Sequence, residues 1–268
     1  MRKALVHLRE DLSSSLALRF AADHARRLGM ILQVAHVVSP SRPITDANGR
    51  ACRTGEKERE EAGLEEVKRL IRTENVTFES AGEPIIRVGD RDKEILDILS
   101  GGEYAFYVEG FVTGGDHSDF LEFIGAKRFR KCSGPVLIVK NIVSTKNLLL
   151  LLDDTVEGER IVTDLDRLYG AAREEVNLTV LYYRFRSETE LLFRERKDAG
   201  NDPDRIDAHL AGLGWSEPEW LVVEGTPERT AEYMLGHCLV VTGMPRARHS
   251  LGHLLAQLSN PLLLFKQD

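Results

Sequence analysis

The sequence predicts an α/β protein made of two doubly wound domains, each with a five-stranded parallel sheet. Three observations lead there. Short apolar runs alternate with stretches of helical periodicity. That order of elements occurs twice along the chain. The length, 268 residues, suits two domains.

The first copy opens with the run Lys3-Ala4-Leu5-Val6-His7-Leu8. A helix is expected from Ser13 to Arg27, because Leu16, Phe20, Ala21, Ala25 and Leu28 recur at helical spacing. The serines at its start supply an N-cap, and Gly29 ends it. A second strand follows, Ile31-Leu32-Gln33-Val34-Ala35-His36-Val37-Val38. The charged stretch 55–73 reads as a solvated helix. Then come a strand at 85–88, a turn at Gly89-Asp90, a helix at 93–99 and a strand at 105–108. The copy closes with a helix and the strand Pro135-Val136-Leu137-Ile138-Val139.

The second copy repeats this order. Its first strand is Lys146-Asn147-Leu148-Leu149-Leu150-Leu151-Leu152, its first turn Asp153-Asp154-Thr155, and its first helix spans 157–172. A strand at 178–183 precedes a charged, helix-favouring stretch at 187–213, interrupted near Gly200-Asn201-Asp202-Pro203. The third strand, 220–223, meets Gly225-Thr226-Pro227, where the proline suits a first helical turn. A fourth strand at 238–242 and a last one, Pro261-Leu262-Leu263-Leu264-Phe265, complete the copy. The domains are therefore expected at 1–141 and 146–268.

Formal net charge is −7, which argues against a nucleic-acid backbone binder. Cys52, Cys132 and Cys238 form no CxxC pair, so no disulfide framework or thiolate metal site is expected. The start of the chain reads as a strand instead of a signal peptide, and the longest apolar run, Leu148 to Leu152, is too short for a membrane span. A cytoplasmic protein is the expectation.

Three segments resemble the universal stress protein family: Leu18-Arg19-Phe20-Ala21-Ala22 with Arg27-Leu28-Gly29, the closing Arg130-Lys131-Cys132-Ser133-Gly134-Pro135-Val136-Leu137-Ile138-Val139, and the turn Glu224-Gly225-Thr226-Pro227-Glu228. With the repeated order, the chain looks like two UspA-like domains in tandem. The resemblance implies an adenine nucleotide alpha hydrolase-like fold and a role in the stress response. It also implies an adenine-nucleotide pocket, ATP included, using an Asp after the first strand and a Gly-x-x-Gly loop after the fourth. Glycines let backbone N–H groups approach phosphate there. The closing strands 135–139 and 261–265 are expected to pair between domains, and two chains to form a homodimer.

Both copies depart from that pattern. In the first, Arg9 stands at the Asp position, and Glu109-Gly110-Phe111-Val112-Thr113-Gly114-Gly115 spaces its glycines differently. The Gly-Ser pair with which the family follows that loop falls here near Glu122-Phe123, where the carboxylate would repel phosphate. The second copy keeps Asp153. Its later loop holds Gly243, Arg246, Arg248, His249 and Gly252. The expected nucleotide contacts are Asp153, Gly243, Arg246 and Gly252. Thr113-Gly114-Gly115-Asp116-His117-Ser118 resembles a pyrophosphatase loop but follows the fourth strand, so it reads as a plain loop. His237 and His253 lie near no evident nucleophile, and Asp153-Asp154 more often forms a turn than a Mg²⁺ site. No catalytic residue is assigned. The alternatives are a protein-interaction module with degenerate pockets, working through an unknown protein partner, and a weak nucleotide hydrolase.

Overall fold

The computed structural model describes residues 1–9, 11–39, 54–112, 117–199, 202–234, 238–246 and 249–267. Cys52, the 113–116 part of the pyrophosphatase-like loop, the 200–201 interruption, His237 and Arg248 lie outside the described residues. In chain order the elements begin with β1 (Lys3–Leu8), α1 (Leu12–Arg27), β2 (Ile31–Val38), α2 (Thr54–Glu74), β3 (Ile85–Val88) and α3 (Arg91–Ser100). There follow β4 (Tyr104–Gly110), α4 (His117–Ile124), α5 (Lys127–Lys131), β5 (Val136–Val139), β6 (Asn147–Leu152), α6 (Gly158–Tyr169) and β7 (Asn177–Phe185). The last are β8 (Leu192–Arg194), α7 (Asp202–Gly212), β9 (Glu219–Gly225), α8 (Pro227–Tyr233), β10 (Leu239–Gly243), α9 (Ser250–Gln257) and β11 (Leu262–Phe265).

These form two compact units. The first comprises Met1–Val112 and Ala126–Gly134, the second Thr113–Gly125 and Pro135–Asp268. In the first unit the strand order is β3-β2-β1-β4, all parallel. Every residue from Ala4 to Leu8 is buried, as a strand covered by helices on both faces requires. The α1 cap differs from the expected serine cap. Asp11 is the extended residue, and its Oδ1 accepts from Ser14 N at 3.2 Å and from Ser13 Oγ at 2.5 Å. A carboxylate reaches the open N–H groups and also favours the positive helix end, so it outcompetes the hydroxyls.

The second unit holds a strand row β5-β11-β10-β6-β7-β9-β8. Its interior pairs are parallel. Both ends depart from the parallel expectation. At one, β5 runs antiparallel to β11, with Ile138 opposite Leu262 and Val136 opposite Leu264. At the other, β8 runs antiparallel to β9, inside a stretch read from its charge as helix. The apolar pair Leu192-Phe193 takes a short edge strand there, and the helix α7 is confined to the residues after it. Pro227 occupies the first turn of α8, where Thr226 caps Arg229 N.

Lys140 follows β5. Its Nζ donates to Leu255 O at 2.7 Å and Leu258 O at 3.0 Å, at the carboxyl end of α9, and lies 3.7 Å from the Phe120 ring centroid on α4. A cation there complements the helix dipole and satisfies carbonyls that have no intrahelical partner. Lys140→Met is expected to lower unfolding stability by about 1–3 kcal/mol, because those carbonyls stay buried without a donor. A urea melt of the full chain measures it.

Candidate functional site

Each unit has a cleft where one pair of adjacent parallel strands ends, β1 and β2 in the first and β6 and β7 in the second. In the first unit Leu8 of β1 pairs with His36 of β2; in the second Leu152 of β6 pairs with Tyr182 of β7. The next residue on the first strand is Arg9 in one and Asp153 in the other. Both positions lie beyond the carboxyl ends of parallel strands, where open α/β sheets place their ligands.

The cleft of the first unit, about 440 Å³, is bordered by Arg9, His36, the start of α1 and the α2 face carrying Glu66 and Arg69. Its floor is occupied by the protein itself. One Arg9 guanidinium nitrogen donates to Ser13 Oγ at 2.8 Å and Gly110 O at 3.1 Å, and lies 2.9 Å from Asp11 Oδ2. The chain after β4 approaches α1 so closely that a Cβ on Gly110 would run into the Ser13 carbonyl. A phosphate has no room to pass between those backbones. Glu122 and Phe123 lie on α4, in the second unit.

A buried ionic network stands behind this floor. Glu109, fully buried on β4, accepts from Tyr107 OH at 2.5 Å, Arg128 Nε at 2.8 Å and a second Arg128 nitrogen at 3.1 Å. His7 Nδ1 lies 3.6 Å from the same carboxylate, and Arg128 also donates to Asp92 at 2.7 Å. Although burial alone would raise it, the His7 and Arg128 contacts hold the Glu109 carboxyl well below the ordinary carboxylate range. Burial holds His7 below its usual value, against the pull of Glu109.

The cleft of the second unit measures about 330 Å³ and is lined by Leu152, Asp153, the first turn of α6, Tyr182, Arg205 and Ile206. Asp153 is 6% exposed. Its Oδ1 accepts from Thr155 N at 2.8 Å and Thr155 Oγ1 at 2.6 Å, which closes the turn into α6. Its Oδ2 is buried with no hydrogen-bond donor, and His249 Nδ1 stands 3.5 Å away. Asp154 accepts instead from Tyr182 OH at 2.5 Å.

The expected contacts are only partly gathered here. Asp153 lines the cleft; Gly243, Arg246 and Gly252 do not. Gly243 ends β10, and a Cβ there would meet the Gln267 carboxamide. Arg246 is exposed and makes no ion pair among the described residues. Gly252 is buried on α9, where a Cβ would sit 3.4 Å from Leu121 and 3.6 Å from Pro245. It serves the packing of α9 on α4. His253 is exposed on α9. Gln267 carried no signal in the sequence. It reaches Glu157 N, which donates to its Oε1 at 3.1 Å, while its own Nε2 donates to Met244 O at 3.4 Å. Among the described residues no cluster of acids, histidines or cysteines is arranged to hold a metal, and no helix is long and apolar enough to cross a membrane.

Comparison with solved structures places this geometry in a known fold. A universal stress protein from Archaeoglobus fulgidus DSM 4304 superposes with a TM-score of 0.62 at 15% identity, covering 99% of this chain and 96% of that one. A functionally unknown protein from Pseudomonas aeruginosa PAO1 superposes at 0.56 and 15% identity, covering 100% and 93%. No protein-family model and no curated protein matches the chain. The fold is the α/β fold of these structures.

Proposed function

We propose that the chain is a universal stress protein-like regulator of the stress response, with tandem copies at 1–141 and 146–268, of which the second binds an adenine nucleotide at the Asp153 cleft. The observation that supports this reading most is the second oxygen of Asp153, buried beside the cleft and lacking a donor. An orphaned acceptor of that kind is costly unless something else donates to it. The exocyclic amine of adenine is such a donor. His249, 39% exposed, is the residue that turns aside to admit it. The role proposed is binding, with no turnover assigned to any residue.

Equilibrium titration of the full chain with ATP, ADP and AMP tests the reading. Saturable binding is expected for the native protein. Asp153→Asn keeps an acceptor for Thr155 but replaces the orphaned acceptor by a donor, so the turn survives while affinity falls about tenfold or more, roughly 1.4 kcal/mol. No saturable binding by the native chain, or unchanged affinity in this variant, removes the nucleotide reading. The first unit favours a second role. With Arg9 and Gly110 filling its floor, it is proposed as a scaffold that meets a protein partner through its surface.

A further inference from the structure

Resting on the proposed adenine reading, we infer that the second unit's cleft selects the nucleoside end of its ligand and excludes the polyphosphate, with Gln267 as the residue that closes the phosphate side. Two independent observations carry this.

The first is steric. Phosphate reaches sites of this topology through exposed helix N-termini and through glycines without a Cβ. Here the helix end is that of α6 and the glycine is Gly243. One side chain, Gln267, touches both. The Gln267 carboxamide lies against Gly243, where even a Cβ would collide with it. Its oxygen accepts from Glu157 N at the start of α6, and its nitrogen donates to Met244 O just past Gly243. One of the four donors at the start of α6, the N–H of its N-cap residue Glu157, is thereby satisfied from within. A neutral amide neither repels a sugar nor needs displacing by one, but a phosphate chain has to expel it.

The second is electrostatic. The cleft wall carries three carboxylates, Asp153, Glu157 and Glu159, against two guanidiniums, Arg160 and Arg205. Arg205 is engaged with Glu159 at 2.7 Å, and Arg160 with Glu157 at 3.7 Å. The wall has no surplus of positive charge, and each phosphate added to a ligand meets net repulsion. A nucleoside brings no charge and meets none. The cleft's volume, about 330 Å³, falls at the small end of ligand pockets and suits a base with its sugar.

Calorimetric titration of the full-length protein and of Gln267→Ala with adenosine and with ATP separates the possibilities. Gln267 follows the last strand outside the core, so its truncation leaves the fold intact, which circular dichroism checks. In the native protein ATP is expected to bind no more tightly than adenosine. In Gln267→Ala the ratio of ATP to adenosine affinity is expected to rise at least about fivefold, through ATP alone. A native preference for ATP over adenosine, or a ratio that rises less than about fivefold in the variant, overturns the selectivity while leaving an adenine site in place. Absence of saturable binding by either ligand to either protein removes the adenine reading itself, and the selectivity with it.

Discussion

Glu109→Ala is expected to destabilise the first unit by about 3–5 kcal/mol, a large share of an ordinary domain's stability. The size follows from what the substitution leaves behind. Arg128 donates two hydrogen bonds to that carboxylate from a nearly buried position, and Tyr107 a third. Removing the acceptor strands a buried guanidinium that keeps its bond to Asp92 but loses the carboxylate on its other side. The His7 ring beside it has no other hydrogen bond to offer in exchange. Removing both charges at once behaves differently. Glu109→Leu with Arg128→Met deletes the pair together, and its cost is expected to be well below that of Glu109→Ala. Urea midpoints of the three proteins decide the matter. A loss under about 1 kcal/mol for Glu109→Ala would mean that the network is not the anchor of α5 on β4.

Acidification is expected to unfold the first unit well before carboxylate protonation alone would do so. Burial against Phe20 and Phe106 lowers the His24 pKa from 6.5 to about 3. A histidine held neutral in the fold takes up its proton more readily in the unfolded chain. Its contribution is therefore fully present above pH 6.5 and is lost as pH falls from 6.5 through about 3. Over the whole interval the loss is on the order of 5 kcal/mol. His7, also held low by burial, pulls the same way. Glu109 joins from about pH 4.5 downward, since its folded pKa is depressed and its stabilisation exists only while it is ionised. Melting temperature followed from pH 7.5 to 4 should hold down to about 6.5 and fall below it, and His24→Phe should flatten the part between 6.5 and 4. An unchanged slope in that variant would assign the acid sensitivity elsewhere.

Much of the fold was readable because its strands are buried on both faces. Leu148 to Leu152 form one unbroken apolar run, and every member is buried in β6. A run of that kind needs no tertiary information to be recognised. The β8 strand shows the opposite case. Leu192 and Phe193 sit among charges, and Phe193 remains 56% exposed, so what makes them a strand is the neighbouring β9 edge. Within the candidate site, Asp153 was legible because it follows a strand directly. The Glu109 network was not. Its members lie on β1, β4, α3 and α5, distant in sequence, and the register of β1 on β4 sets His7 beside Glu109. Gln267 was invisible for the same reason, being returned to Gly243 by β11.

The second unit draws on two separated stretches of chain, because α4 and β5 come before the linker at 141–145 yet pack with β11 and α9. A fragment starting after that linker would carry β11 with Leu262 to Leu264 unzipped along one side, and α9 without the Leu121 neighbour its glycine accommodates. Bare apolar strand edges recruit other chains. The carboxyl-terminal half is thus no free-standing cassette: cut at the linker, it carries an adhesive edge.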